Sequence, residues 1–488
     1  MHKRNPSKIK VKKILNFIDG KLAYSSIKRN LKKFNPHNGK LQKYVAISGS
    51  SDVDYAVRSS LIAFKDWSAV SPVNRGKYLK NFVHELESNR DKLERLVSLE
   101  TAKSLQASSG EVSGAILQGD YFAGEGMRLY GRSLTSSNHQ KSVFTSRYPH
   151  GVVGLIVPAN TPIANIAWKI FPALICGNSC VLKASEDAPE LANQVAKLAI
   201  KSGLPKGLIN IIHGDASTGR LLVEHPLIKL ISFTGSSSAG IDISSRASKY
   251  LKRVSLELGG KNPFVVSDDC NLEKAVDWAL LSAFSNAGQR CAAGSRLIVF
   301  EKIYDSFKKE FLRKMSTLKL GVSDECDLGP VINLKQYKNI LRYFKLVSSN
   351  GGKIEFGGKP AHIKSGAHGY YILPSLISGL EKIPELYDIE VFGPVTHIEK
   401  VKDLDEAIKA SNNTRYGLTA SIHTSSISKS LQFSKSVMCG FVNVNLGTFG
   451  SEPHFPFGGY GLSGNGTREP GIEALDVYSE LKNISISE

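Results

Sequence analysis

Two periodicities alternate along most of the chain. From Gly151 onward, short β-branched runs are separated by stretches whose apolar residues recur at helical spacing, which is how a parallel sheet with covering helices reads. Val152 to Val157, Ser179 to Lys183, Leu208 to Ile212, Ile228 to Phe233 and Val254 to Leu256 predict five strands. One intervening helix opens at Asp187 with Glu190 three residues later, which predicts a capping box. It carries Leu191, Val195, Leu198 and Ala199 on one stripe before Gly203 and Pro205 end it. A second alternation begins after Gly259: Pro263 to Val266 as strand, Asn271 to Phe284 as helix, Arg296 to Phe300 as strand, Tyr304 to Met315 as helix. Ser51 to Gln118 is rich in helix formers, with Val53, Ala56, Val57, Leu61 and Ala63 at core spacing, and predicts helices packed beside the first sheet. Residues 130–148 and 471–488 hold short β-like stretches without helical period. No repeat of about 20 to 50 residues interrupts this plan.

The chain has 488 residues, room for roughly three domain-sized units. Its composition is globular, and no apolar run approaches the ~20 residues needed to cross a bilayer. Six cysteines are too sparse for a disulfide scaffold and form no CxxC pair, which points to a reducing, cytoplasmic setting without structural zinc or any other metal site. The net charge of +19 is concentrated: residues 1–33 hold eleven Lys or Arg against the single acid Asp19. That segment has no interleaved aromatics on which bases would stack. It reads as a solvated, frayed terminus rather than a nucleic-acid arm, and it is Lys-rich where a transit peptide is Arg-rich.

Candidate chemistry lies in separated places. Cys291 sits in Asn286-Ala287-Gly288-Gln289-Arg290-Cys291-Ala292-Ala293-Gly294, where small residues let a sulfur approach a ligand and Arg290 adds positive potential. A free thiol is only a few per cent thiolate at neutral pH, so a nucleophilic Cys needs such help or a base. Glu257, between Leu256 and Leu258 at a strand end, is partly desolvated, which raises a carboxyl towards the working range of a general base; pairing with Lys261 is the structural alternative. Asn160, in the PANTP turn at 158–162, either donates its amide to an oxyanion or caps the following helix. Gly235 and Ser236 join a strand to a helix start, an arrangement that offers N–H groups to a phosphate. Lys183 and Glu186, at another strand end, supply a cation and a ribose hydroxyl acceptor, or form a surface pair.

Six motifs in order resemble the NAD(P)-dependent aldehyde dehydrogenase superfamily: PANTP at 158–162, FTGS at 233–236, LELGGKNP at 256–263, GQRC at 288–291, EVFGPV at 390–395 and PFGGYGLSGNG at 456–466. The resemblance runs from Phe17 to Tyr478. It implies an α/β architecture: a Rossmann-like parallel-sheet cofactor domain (1–129 and 149–259), a second α/β catalytic domain (260–448), a connecting segment (449–469), and a small β bridging element (130–148 and 470–488) that pairs subunits into dimers or tetramers. It implies Cys291 as nucleophile, Asn160 as oxyanion donor and Glu257 as the base that activates water, with Lys169 and Glu469 as a proton-relay pair. Pro158, Lys183, Glu186, Gly235, Ser236, Glu390 and Phe392 would hold the cofactor, with Glu186 favouring NAD over NADP. Arg290, Ala292, Gly447 and Thr448 would line the aldehyde pocket, and GQRC resembles members that oxidise semialdehydes carrying a carboxylate. Two departures stand out: Gly461 where many members have Lys, and an additional residue, Thr467, before Arg468 and Glu469. The implied reaction is oxidation of an aldehyde to its acid through a thioester on Cys291. Transfer of the acyl group to coenzyme A is the enzymatic alternative, which Glu257 disfavours. A non-catalytic anion-binding protein on the same fold is the other, which the joint presence of Asn160, Glu257, Cys291 and Glu390 disfavours.

Overall fold

The β-branched runs do assemble into a parallel sheet. In the computed structural model, which describes residues 11–363 and 368–487, seven strands lie in the order Arg253–Glu257, Ile228–Thr234, Val152–Ile156, Ser179–Lys183, Ile209–Ile212, Asn16–Ile18, Lys21–Ala23. The first five are parallel; the last two add antiparallel at one edge. The three inner strands from Val152 to Ile212 are buried residue for residue, which is why they read as continuous apolar runs rather than alternating ones. The chain steps outward from Val152–Ile156 through Ser179–Lys183 to Ile209–Ile212, then returns to the other flank of Val152–Ile156 as Ile228–Thr234. The loops after Ile156 and Thr234 therefore leave in opposite directions, and the crevice between them is where such a sheet binds ligands.

Helices Ser50–Ala69, Pro72–Ser88, Arg90–Thr101 and Leu105–Glu125 pack as the sequence predicts. They bury Pro162–Ile175, whose side chains are almost all inaccessible. The last carbonyls of that helix find fixed donors: the Trp67 indole reaches Leu174 O at 2.9 Å and Arg75 Nε reaches Ile175 O at 2.9 Å. A guanidinium at this negative helix end both satisfies a carbonyl and opposes the dipole.

The second sheet also has seven strands, in the order Lys353–Phe356, Ser375–Ser378, Val395–Val401, Gly294–Phe300, Asn262–Val266, Thr419–His423, Phe441–Val444, and only its first pair is antiparallel. Ser133–Leu134, Lys141–Pro149 and Ser479–Ser487 form a separate three-stranded antiparallel sheet, preceded on its last strand by a short helix, Ala474–Val477, that the sequence pattern does not announce.

Two expectations are corrected. The basic segment is not a frayed terminus from residue 12 onward: Lys12–Ile14, Asn16–Ile18, Lys21–Ala23 and Asn30–Phe34 are strands, Lys33 is buried, and Lys12 pairs with Glu190. Residues 1–10 lie outside the described residues. The capping box at Asp187 also does not form. The helix is Pro189–Lys201 with Ala188 at its N-cap, because Asp187 instead accepts from Asn333 Nδ2 at 2.7 Å and faces Lys33 at 3.9 Å, while Glu190 is held by Lys12 and Lys43. The buried Lys33, which has no hydrogen-bond partner among the described residues, competes with the local cap for Asp187.

Candidate active site

Cys291 is carried on a tightly cross-braced loop. Asn286 and Ala287 both adopt left-handed backbone angles, φ +56° and +53°, conformations that persist for non-glycine residues only when the surroundings over-determine them. The surroundings do so here. Asn286 Nδ2 donates to Asn160 O at 3.0 Å, Gln289 Oε1 accepts from Ile332 N at 2.9 Å, and Asn262 Nδ2 donates to the Cys291 and Ala293 carbonyls at 2.7 and 2.9 Å. Gly288 has no alternative: a Cβ there would stand 2.0 Å from Gly393 O.

Asn160 does not cap its helix. Thr161 is the N-cap, and the first turn is instead served from outside by Glu111, which accepts from Ile163 N at 2.9 Å and pairs with Lys103 at 2.5 Å. The Asn160 amide is oriented at both ends: Oδ1 accepts from Asn165 Nδ2 at 3.2 Å, and Nδ2 donates to Gln289 O at 3.1 Å. Its donor end is thus aimed at the loop that bears the sulfur.

Glu257 ends its strand with neither carboxyl oxygen hydrogen-bonded among the described residues. Lys261 does not pair with it; its ammonium donates to Ile389 O at 2.8 Å. Burial, and then the negative charge of Glu469, push the Glu257 carboxyl well above the usual range. Lys169 and Glu469 form an ion pair of 2.7 Å in which both side chains are 0% exposed. Ser232 Oγ accepts from Lys169 and donates to Glu469, each at 2.7 Å.

Asn160, Glu257 and Cys291 open on one cleft of about 620 Å³, lined also by Pro158, Glu390 and Phe392; Lys169, Ser232 and Glu469 lie behind it. The Cys291 thiol is pushed up to about 12 by burial first, and then by Glu257 and Glu390; the opposing pull of Arg290 is smaller, so the positive potential expected from Arg290 does not by itself ionise the sulfur. Glu390 accepts from Gly260 N at 3.1 Å, and burial raises its carboxyl to about 7.

The cleft fits an extended anionic ligand at the switch point of the first sheet. Thr234, Gly235 and Ser236 line it just before helix Ser237–Ser248, whose first amides are the kind that receive a phosphate. A Cβ on Gly235 would collide with the Phe233 ring at 2.4 Å, and one on Gly259 would stand 1.9 Å from the Glu390 carboxylate, so both glycines keep backbone close to the ligand space. Lys183 and Glu186 stand at the end of a neighbouring strand as a 3.4 Å pair outside the lining of this cleft, Lys183 buried and Glu186 48% exposed by side chain.

None of the four residues expected against the aldehyde, Arg290, Ala292, Gly447 and Thr448, lines this cleft; they stand behind its wall. Thr448 is fully buried and donates to Ala292 O at 2.6 Å; Gly447 packs under Ser282 and Phe449. Ala292 belongs to a small apolar cluster with Leu418 and Phe457, against which Trp168, Cys291, Phe441 and Phe449 pack. The Arg290 guanidinium stacks 4.7 Å over Phe449, and its Nε has no hydrogen-bond partner among the described residues. Trp168 and Phe457 were missed in the sequence, although Thr161, Ala164, Asn165 and Trp168, all lining the cleft, form a stripe at helical spacing that marks that face. Gln336 was missed too: its amide donates to Val391 O and Phe392 O at 2.7 and 2.9 Å and so fixes the Glu390 loop.

Among the described residues no cluster of metal-ligating side chains occurs and no helix is long and apolar enough to cross a membrane. The profile of the aldehyde dehydrogenase family matches residues 23–484. The chain is 33% identical to an alpha-ketoglutaric semialdehyde dehydrogenase of Bacillus subtilis, covering 97% of this chain and 98% of the relative. It is 34% identical to a D-glyceraldehyde dehydrogenase (NADP(+)) of Picrophilus torridus, covering 96% and 95%. The crystal structure of a betaine aldehyde dehydrogenase from Staphylococcus aureus in complex with NAD+ superposes with a TM-score of 0.94 at 32% identity, over 97% of this chain and 95% of that one. The chain belongs to the aldehyde dehydrogenase family and is an NAD(P)-dependent enzyme that oxidises an aldehyde to the acid.

Proposed function

We propose that Cys291 is the nucleophile, that the Asn160 amide and the Cys291 N–H receive the oxyanion, and that Glu257 is the base for hydrolysis. The observation that carries this reading is the convergence of Asn160, Glu257, Cys291 and Glu390 on one cleft. The Cys291 thiol gives its proton to solvent, the thiolate sulfur adds to the carbonyl carbon, and the new alkoxide meets the Asn160 amide. A bound oxidised nicotinamide would supply the hydride acceptor, and its positive charge would favour ionisation of a thiol that burial otherwise keeps protonated. Loss of hydride leaves a thioester on Cys291. Glu257 then takes a proton from water, the water oxygen bonds to the acyl carbon, and the C–S bond breaks. Lys169 and Glu469 relay that proton.

For the cofactor, Pro158, Gly235 and Ser236 face the pyrophosphate, Glu390 and Phe392 the nicotinamide end, and Lys183 and Glu186 the adenosine ribose. A carboxylate at Glu186 accepts from a 2′-hydroxyl and repels a 2′-phosphate, which favours NAD over NADP. For the substrate, Arg290 with its unpartnered Nε supports an aldehyde that carries a carboxylate, with Ala292, Gly447 and Thr448 shaping the wall behind it. Residues 1–129 and 149–259 form the cofactor domain, 260–448 the catalytic domain, and the sheet made by 130–148 and 470–488 pairs subunits into a dimer or tetramer. Six free cysteines fit the reducing cytoplasm.

The test is formation of reduced nicotinamide from NAD and from NADP with a panel of aldehydes. NAD with succinate semialdehyde is expected to exceed NADP, and to exceed a neutral aldehyde of equal length. A clear preference for the neutral aldehyde would sink the carboxylate reading, and a preference for NADP would sink the role given to Glu186.

A further inference from the structure

A relay that ends at Glu469 has nowhere to deliver its proton, because that carboxyl is wholly buried. The structure contains a second hydroxyl line that continues from it. Ser255, on the edge strand Arg253–Glu257, is buried, and its Oγ lies 3.1 Å from Glu469 Oε1 and 3.0 Å from Thr467 Oγ1. Thr467 in turn donates to Asn465 Oδ1 at 2.9 Å, and it is partly exposed. The Asn465 side chain docks on the edge strand, accepting from Leu256 N at 3.0 Å and donating to Val254 O at 2.7 Å. This docking holds Thr467 over Ser255. Thr467 is also the additional residue that departs from the family pattern before Arg468 and Glu469. Gly458 stands between this loop and the base: a Cβ there would lie 2.7 Å from Glu257 Oε1 and 2.6 Å from Thr467 O.

We propose that Ser255 and Thr467 conduct to solvent the proton that Glu257 collects during thioester hydrolysis. This rests on the reading of Glu257 as hydrolytic base and of Lys169 and Glu469 as relay. In the step, the Ser255 oxygen takes the proton from the Glu469 carboxyl while the Ser255 hydrogen passes to Thr467 Oγ1, and Thr467 releases its own hydrogen to water. No bond other than O–H changes, and the net result is one proton delivered outside for each water consumed. Neither residue touches substrate; both act through Glu469. Tyr478, whose hydroxyl is 3.4 Å from Glu469 Oε1, is fully buried and offers no exit.

The experiment uses the full-length protein with NAD present and p-nitrophenyl acetate, an ester that acylates Cys291 without a hydride transfer. Release of p-nitrophenolate reads acylation in the burst and deacylation in the steady phase. Thr467→Val keeps the shape and removes the hydroxyl; it is expected to leave the burst at its full amplitude, slow the steady phase about tenfold, and enlarge its solvent isotope effect. Thr467→Ser is expected to restore both, which a purely structural role would not require. Ser255→Ala is expected to match Thr467→Val; Thr467, on the surface, remains decisive if the buried Ser255 variant does not fold. Wild-type deacylation and an unchanged isotope effect in Thr467→Val would overturn the proposal. Wild-type deacylation in Glu257→Gln would instead overturn the reading beneath it, and the two failures are told apart by which variant deacylates normally.

Discussion

On the proposed role of Glu390 at the nicotinamide ribose, cofactor affinity depends on pH. Its carboxyl is raised from 4.5 to about 7, chiefly by burial, with the Gly260 N–H and then Lys261 pulling the other way. If the ionised form is the one that accepts a ribose hydroxyl, the competent fraction is roughly a tenth at pH 6 and nine tenths at pH 8, so the apparent NAD dissociation constant falls about tenfold across that interval. Stability runs the opposite way. A carboxyl raised in the folded state binds its proton more tightly there than in the unfolded chain. Its contribution is therefore present below 4.5 and is lost as pH rises towards about 7, by at most ~3 kcal/mol before screening by solvent in the cleft. Glu390→Gln is expected to flatten the affinity profile and to raise the urea midpoint at pH 8 while changing it little at pH 5. Calorimetric titration with NAD at several pH values, beside urea unfolding at pH 5 and pH 8, measures both. An NAD affinity that stays constant from pH 6 to pH 8 in the wild type would refute the reasoning.

Other consequences are equally direct. Lys169→Met strands Glu469 as an unpaired buried carboxylate and is expected to destabilise the fold by about 3–5 kcal/mol, read as a lowered thermal midpoint; Lys169→Met with Glu469→Leu is expected to recover part of it. A double variant no more stable than the single one would contradict the pairing. Thr448→Val removes the bond to Ala292 O, at a cost of about 1 kcal/mol in stability, and is expected to lower kcat with little change in the KM for NAD; an altered NAD KM with normal kcat would place Thr448 elsewhere. Cys291 is expected to react slowly with iodoacetamide at pH 7, because burial and two carboxyls hold the thiol protonated, and faster once NAD is bound. Labelling by mass spectrometry checks this, and rapid alkylation of the free enzyme would count against it.

The five parallel strands of the first sheet and two of the second, Asn262–Val266 and Gly294–Phe300, were legible because an inner parallel strand is buried on both faces and so reads as an apolar run; the other five strands of the second sheet were not read. Lateral order was not legible either, since nothing local to Val152–Ile156 says that Ile228–Thr234 will return to its flank. The N-terminal strands were obscured by their lysines. Eleven basic residues in 33 read as a solvated arm, yet Lys33 and Lys43 are buried against acids more than 50 residues away, Asp187 and Glu100. The same long-range pairing drew Asp187 away from its predicted cap. Cys291, Glu257, Asn160 and Glu390 were each ambiguous alone and became a site only through the resemblance, because their convergence is a property of the two sheets meeting. Gln336 left no signal and Asn262 stood only as part of LELGGKNP: both act by donating to backbone carbonyls, a role that any amide in the chain can fill. Thr467 was noticed only as an insertion, and its hydroxyl gained meaning once Ser255 was found beneath it.

The most direct test of the thioester route is rapid-mixing measurement of reduced nicotinamide with an accepted aldehyde, comparing wild type, Cys291→Ala and Glu257→Gln. Expected are continuous turnover in the wild type, no product from Cys291→Ala, and from Glu257→Gln a single burst of about one equivalent per active site followed by a near standstill. Continuous wild-type turnover by Glu257→Gln, or a burst from Cys291→Ala, would contradict the assignment of base and nucleophile.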